Sequence, residues 1–283
     1  MNIMLIAVIV LGAIALVAAA VLYVCSKKFA VKEDPRIAQV SALLPQANCG
    51  GCGFPGCSGM ADALVKAADG GSLEGLNCPV GGSVVMEQVA DLLGMAVANT
   101  EPMVAVVRCN GTCENRPKTA EYCGLRTCAA MNACAAGETA CGFGCLGCGD
   151  CVEVCQFGAI AINPETGLPE VNEDLCTACG ACAKACPRHI IELRKKGPKG
   201  RRVYVSCVNR DKGPAAKKAC AAACIGCAKC EKECPFGAIT VECNLSYIDP
   251  LKCRSCRKCE KVCPTGAIKA VNFPAPKNNP VTE

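Results

Sequence analysis

Tryptophan is absent from this 283-residue chain, histidine occurs once, and four Tyr and six Phe are its whole aromatic complement. One large core built on bulky rings is excluded at that count, so the length points to several small folded units. Charge of one sign is also scarce: Lys+Arg minus Asp+Glu is 30 − 25 = +5. So mild a balance, with so few rings to stack on bases, argues against nucleic-acid binding. His189 is the only residue around which a Ser–His–Asp site can form, and its place just after Arg188 suits a surface role. Phosphate loops, flavin fingerprints and paired catalytic carboxylates are missing. Gly142-x-Gly144-x-x-Gly147 fits the dinucleotide fingerprint by letter, but cysteines fill it and no strand precedes it. At 52% apolar and 19% charged, the chain is not a disordered one.

Cysteine is abundant, with 30 residues, about one in ten. Secreted disulfide scaffolds reach that density, but they are usually short. The other reading is thiolate ligation of metal in a reducing compartment, and the N-terminus favours it. Met1 to Cys25 carries no charge, and Lys27 and Lys28 follow directly. A helix of about 20 apolar residues spans a bilayer. The run lacks the positive start of a signal peptide and exceeds its usual apolar length. It reads as a retained single-pass anchor, and the positive-inside rule leaves the rest facing the cytoplasm. Asn110-Gly-Thr112 and Asn244-Leu-Ser246 are then chance matches to the glycosylation pattern.

After a charged linker ending at Pro35, the cysteines organise the chain. Cys49, Cys52 and Cys57 lie in the glycine-rich loop NCGGCGFPGC, and Cys78 follows before Pro79. Apolar faces Ile37/Val40/Leu44, Met60/Leu64/Ala68 and Val85/Val89/Leu92 predict helices around it. Zinc ribbons use two short C-x2-C knuckles; a three-cysteine arc whose glycine amides can reach sulfide suits an iron–sulfur cube better.

Downstream, one spacing occurs four times. Cys145, Cys148, Cys151 and Cys155 are repeated as Cys176, Cys179, Cys182 and Cys186, as Cys224, Cys227, Cys230 and Cys234, and as Cys253, Cys256, Cys259 and Cys263. Proline follows the last cysteine in three copies, and Gln156 replaces it in the first. This is the bacterial ferredoxin run, in which the fourth cysteine ligates the neighbouring cluster. The expected sets are therefore Cys145/Cys148/Cys151/Cys186, Cys155/Cys176/Cys179/Cys182, Cys224/Cys227/Cys230/Cys263 and Cys234/Cys253/Cys256/Cys259. Strand-like runs follow each fourth cysteine: FGAIAI, HIIEL, FGAITV and TGAIKAV. The fold class is α+β: a transmembrane helix, a small helical [4Fe–4S] domain and tandem two-cluster ferredoxin-like domains. The segments are 1–25 anchor, 26–36 linker, 37–95 four-cysteine domain, 96–140 Cys-rich segment, 141–195 first ferredoxin domain, 196–219 basic linker, 220–271 second ferredoxin domain and 272–283 tail.

A longer repeat overlies this one. Val107-Arg-Cys109 and Val205-Ser-Cys207 each lead toward a cysteine four residues ahead of a ferredoxin run, Cys141 and Cys220. Six of the remaining cysteines crowd 109–141, and Cys109, Cys113, Cys128 and Cys141 are the candidate ligands of a further cluster. The other reading is buried free thiols or alternative ligands. Cys207, Cys220 and Cys243 show no obvious fourth partner, and Cys25 reads as a bystander. Arg194–Arg202 packs six cations into nine residues, either a docking patch for an acidic redox protein or a solvated hairpin tip. An oxidised cube on four thiolates carries about −2, so five of them turn the formal charge to about −5.

The anchor, the Cys49/Cys52/Cys57/Cys78 domain and the tandem runs resemble the B-subunit of the Rnf electron transport complex, the ion-translocating ferredoxin:NAD⁺ oxidoreductase. The resemblance spans essentially the whole chain, and NCGGCGFPGC with the anchor is its most specific part. It implies at least five [4Fe–4S] clusters on the twenty motif cysteines. It also implies soluble ferredoxin as electron donor, membrane and flavin-containing partner subunits, and a place on the cytoplasmic face of the cell membrane, where electron flow to NAD⁺ drives Na⁺ or H⁺ outward. No substrate-transforming site of its own accompanies them. The rivals are a polyferredoxin serving a hydrogenase or dehydrogenase, a corrinoid-protein reductase, for which the chain has no room for a corrinoid domain, and a zinc-stapled scaffold.

Overall fold

A computed structural model describes residues 3–28, 34–96 and 101–274. Helix α1 (Ile3–Lys28) continues three residues past the expected anchor and closes on Lys27 and Lys28, cations that suit a helix C-terminus. Its stretch Ile9–Lys28 has a mean hydropathy of 2.6 with no side chain buried, so it is long and apolar enough to cross a membrane.

Helices α2 (Pro35–Leu43), α3 (Cys57–Asp69) and α4 (Gly82–Leu93) form the four-cysteine domain. Asp34 caps α2 by accepting from the Arg36 amide at 2.8 Å, and Pro35 begins the helix, where a missing N–H costs nothing. The Arg36 guanidinium also reaches Asp69 at 3.0 Å, tying the start of α2 to the end of α3. Val40, Leu44, Met60 and Leu64 meet in the core as their periodicity requires. On α4 the inward face is Met86, Val89 and Ala90. Leu92, expected inside, is 41% exposed, because the helix is turned one position from the reading that began at Val85.

The rest comprises two units with the same strand order. The first has β1 (Met103–Val107), α5 (Cys128–Cys134), α6 (Asp150–Glu153), β2 (Ile160–Ile162), β3 (Pro169–Val171), α7 (Ala181–Ala185) and β4 (Ile191–Lys195). The second has β5 (Arg202–Val205), α8 (Gly213–Ala219), α9 (Lys229–Lys232), β6 (Ile239–Glu242), β7 (Leu245–Ile248), α10 (Lys258–Lys261) and β8 (Ile268–Val271). In each, the outer strands pair antiparallel, Val107 with Ile191 and Val205 with Ile268, around an inner hairpin, β2–β3 or β6–β7.

These pairings correct two boundaries. Strand β1 lies in what the sequence read as a Cys-rich segment, yet it is the edge partner of β4. Residues 196–219 are no linker either, since they supply β5, the partner of β8, and α8. Each ferredoxin unit therefore begins near residue 103 or 202, with a long insertion before its first run. The insertion hides the strand from a reading that starts at the cysteines.

The basic run also has a different place. Arg194 is 2% exposed; it pairs with Glu192 and lies 5.7 Å and 5.2 Å from the ring centres of Tyr204 and Tyr247. Arg202 is buried against Glu173, and the Lys196 ammonium donates to the Glu173 carbonyl at 2.8 Å. Two of the six cations, Arg194 and Arg202, are thus buried at the junction of the two units. Arg108 adds to it by donating to the carbonyls of Val205 (3.3 Å) and Cys207 (3.4 Å) and pairing with Glu192 at 3.2 Å.

Candidate metal centres

Every ferredoxin run is wrapped in the same way. The residues just before and just after the second cysteine take left-handed backbone: Gly147 and Gly149, Ala178 and Gly180, Gly226 and Ala228, Ser255 and Arg257, with φ from +54° to +94°. Non-glycine residues in that region cost about 1–3 kcal/mol each and persist only where surroundings over-determine them. The alternation turns successive thiols toward one side and starts the short helix α6, α7, α9 or α10 one residue before the third cysteine.

Three hollows result. Cys155, Cys176, Cys179 and Cys182 line one. Cys224, Cys227, Cys230 and Cys263 line another, so the fourth cysteine of the last run crosses to the first set of its own unit. The third is lined by Cys145, Cys151, Cys186 and, instead of Cys148, by Cys128. Cys148 borders an adjoining cavity of about 480 Å³ that also holds Cys113, Lys118 and Arg126. In the second unit Cys259 has Cys253 and Cys256 as thiol neighbours. In the helical domain Cys78 faces Cys52 and Cys57. Cys234 packs on the core of the second unit, and Cys49 is half-buried in the glycine loop.

Burial, reinforced by neighbouring thiols, pushes Cys145, Cys151 and Cys259 up to about 12 and Cys182 to about 11. Without metal these sulfurs are neutral thiols, and metal binding must displace their protons. Amides already point at several of them. Gly81 donates to Cys78 Sγ at 3.4 Å, Ala159 to Cys155 Sγ at 3.3 Å and Ser255 to Cys253 Sγ at 3.4 Å. The Thr177 hydroxyl beside Cys176 is buried with no partner. A zinc staple needs ligands about 2.3 Å from one point, whereas among the described residues no three His, Cys, Asp or Glu side chains converge on a single-ion site. Sulfurs spread around a hollow, with N–H groups aimed at sulfur, fit a [4Fe–4S] cube.

The candidate set Cys109/Cys113/Cys128/Cys141 is split. Cys113 is exposed, and its thiol donates to the Thr166 carbonyl at 3.6 Å. Cys128 is drawn to the first run because Asp150, at the start of α6, accepts from the amides of Cys128 (2.6 Å) and Ala129 (3.0 Å) and so caps α5. Cys109 and Cys141 instead face Cys207 and Cys220 in a fourth hollow. Cys25, Cys123, Cys134 and Cys243 are exposed, as is His189.

The family described as "4Fe-4S dicluster domain" matches residues 144–190, 175–238 and 223–267, and "Putative Fe-S cluster" matches 44–69. The chain is 44% identical over 254 residues to the B-subunit of the Na(+)-translocating ferredoxin:NAD(+) oxidoreductase complex of Acetobacterium woodii, covering 90% of this chain and 74% of that protein. It is 40% identical to the B-subunit of the ion-translocating oxidoreductase complex of Methanosarcina acetivorans, covering 86% and 89%. To the B-subunit of the proton-translocating ferredoxin:NAD(+) oxidoreductase complex of Clostridium ljungdahlii it is 42% identical, covering 89% and 87%.

Proposed function

The chain belongs to the B-subunit family of ion-translocating ferredoxin:NAD⁺ oxidoreductase complexes, and we propose that within such a complex it carries electrons from reduced soluble ferredoxin to the membrane and flavin-containing subunits. It is the iron–sulfur electron-transfer subunit of an ion-translocating oxidoreductase, held at the membrane. The observation that carries the reading is the row of cysteine-lined hollows joined to a helix able to cross a bilayer.

At least five [4Fe–4S] clusters fit the sulfurs. Cys49, Cys52, Cys57 and Cys78 hold one. Cys145, Cys148, Cys151 and Cys186, with Cys128 as a fifth thiol at hand, hold the second, and Cys155, Cys176, Cys179 and Cys182 the third. Cys224, Cys227, Cys230 and Cys263 hold the fourth, and Cys234, Cys253, Cys256 and Cys259 the fifth. Bound there, a cube supplies one-electron uptake and release, at a potential within about −700 to +450 mV set by hydrogen bonds and burial. The chain's own part is to fix the thiols, donate N–H groups to sulfur and exclude water. Lys27 and Lys28 favour an orientation with the folded part in the cytoplasm, where ferredoxin and NAD⁺ are.

Membranes from cells lacking this chain are expected to lose ferredoxin-dependent NAD⁺ reduction and to regain it when the chain is restored. Unchanged activity would favour a polyferredoxin serving another oxidoreductase.

A further inference from the structure

The fourth hollow lies where the two ferredoxin units meet, and it belongs to neither. Four cysteines line it: Cys109 and Cys141 from the first unit, Cys207 and Cys220 from the second. They occupy equivalent places in the long repeat, Cys109 matching Cys207 just after the outer strand and Cys141 matching Cys220 just before the first run. Their exposures are 7%, 6%, 9% and 6%. We propose that Cys109, Cys141, Cys207 and Cys220 bind a further [4Fe–4S] cluster, shared between the two units. The proposal rests on the reading of the chain as an iron–sulfur carrier and adds a ligand set to it.

The surroundings are those of an anion site. Donors aim at the sulfurs: the Cys145 amide at Cys109 (3.5 Å), the Asn209 amide at Cys207 (3.4 Å) and the Asn209 side-chain amide at Cys141 (3.6 Å). The Arg116 side chain, in a residue only 9% exposed, reaches the same hollow. One of its Nη groups donates to the Cys145 carbonyl at 2.6 Å, but its Nε has no partner. Ser206, 1% exposed, also borders the hollow, and its hydroxyl is unpartnered. Leaving a buried donor or cation uncompensated is costly, and buried polar groups in folded proteins are nearly always paired. A cube on four thiolates carries about −2 and gives both groups an acceptor. Backbone without side chains walls the site: a Cβ on Gly111 would lie 3.1 Å from Arg116 Nε and 3.5 Å from Cys109 Sγ, and one on Gly144 would collide with the same guanidinium.

Neither simpler use of four thiols accounts for this. All four cysteines are free of disulfides. Plain packing of small apolar groups does not need a buried arginine with an orphaned N–H. The position is also particular. Cys109 takes the Cys145 amide, while Cys207 takes the amide of Cys224, so the four sulfurs stand between the first set of one unit and the first set of the other. Loading from an assembly protein that holds the cube on its own thiolates balances without redox change. Four iron–sulfur bonds to the carrier break, four form here, and each cysteine proton passes to a carrier thiolate.

The test uses the full chain purified without oxygen in detergent, read by native mass spectrometry, iron analysis and electron paramagnetic resonance of the reduced protein. Six filled sets give about 24 irons per chain and five give about 20. The double variant Cys207→Ala/Cys220→Ala is expected to lose about four irons and one paramagnetic centre, while Cys243→Ala, at an exposed thiol, loses none. Wild type near 20 irons with no loss in the double variant overturns the proposal and leaves the carrier function standing. Wild type below about eight irons overturns that function and the proposal together. Asn209→Asp, which keeps the acceptor and shape but removes the donor to Cys141, decides the matter if the double variant aggregates. One cluster is then expected to shift to a more negative midpoint potential with iron content unchanged, and an unmoved set of potentials refutes the assignment.

Discussion

Gly51 of the N-terminal glycine loop is pressed against the backbone of Cys179 in the first ferredoxin unit. A Cβ on Gly51 would fall 2.7 Å from the Cys179 carbonyl oxygen and 2.9 Å from its Cα. The loop that carries Cys49, Cys52 and Cys57 therefore meets the loop that carries Cys176, Cys179 and Cys182 directly, with no side chain between them. Glycine is required here for approach, since the opposing atoms are main chain and cannot swing away.

Replacing Gly51 with valine is expected to push the two loops apart at a cost of about 1–3 kcal/mol, the usual penalty of overpacking. Iron content should stay at the wild-type value, because no ligand is touched. Magnetic coupling between the helical domain's centre and its ferredoxin neighbour should weaken in the fully reduced protein. A variant whose coupling is unchanged would show that the contact does not set the distance between the centres.

The two ferredoxin units should respond differently to loss of the second cysteine of their first run. Cys227 lines its hollow with Cys224, Cys230 and Cys263, and no spare thiol is seen there among the described residues. Cys148 has Cys128 beside it, already lining the hollow with Cys145, Cys151 and Cys186. Cys227→Ser is expected to remove about four irons per chain, while Cys148→Ser retains them. Equal losses from the two variants would mean that Cys128 does not serve as a ligand.

Glu173 joins the units. Its carboxylate pairs with Arg202 of β5 and accepts from the Asn272 amide at 2.9 Å. The Arg202 guanidinium holds this carboxyl below its ordinary value, ahead of the opposing effect of burial. A lowered folded pKa means that the stabilisation is complete above the unfolded value of about 4.3 and fades as pH falls through the lower folded one. Glu173→Gln should cost about 1–3 kcal/mol at neutral pH, read as faster hydrogen exchange in β5 and β8. In the variant that exchange should also lose its acid-dependent rise. An acid limb identical to wild type would assign the effect to other carboxylates.

Removing residues 1–25 should release the chain from membranes with its visible spectrum intact, because the folded cysteine domains begin beyond the helix. Truncated protein that still sediments with plain lipid vesicles would place membrane binding elsewhere.

Much of the molecule is written locally. The fourfold spacing identifies the thiols, and glycines beside the second cysteine of the first three runs permit some of the left-handed turns that wrap them. The helices of the first domain follow from the faces of Val40, Met60 and Leu64. Strands β2, β4, β6 and β8 follow each run because the chain must leave the cysteines extended to cover them. The opening strands were not legible, because β1 is separated from β4 by more than eighty residues and its pairing is a long-range fact. The same is true of Arg194 and Arg202, which look like surface charge in sequence and become interior ion pairs once the units dock.

Spacing along the chain, then, was enough to place 4Fe-4S domains beside a lipid-seeking helix, since motif spacing and local backbone reach are short-range properties. Which sulfurs stand together was decided by folding. Capping by Asp150 carries Cys128 to the first run, and the docking of two duplicated units brings Cys109 and Cys141 opposite Cys207 and Cys220. Those groupings span more than a hundred residues, from Cys109 to Cys220, and no periodicity in a sequence encodes contacts made only when separate strands and helices pack.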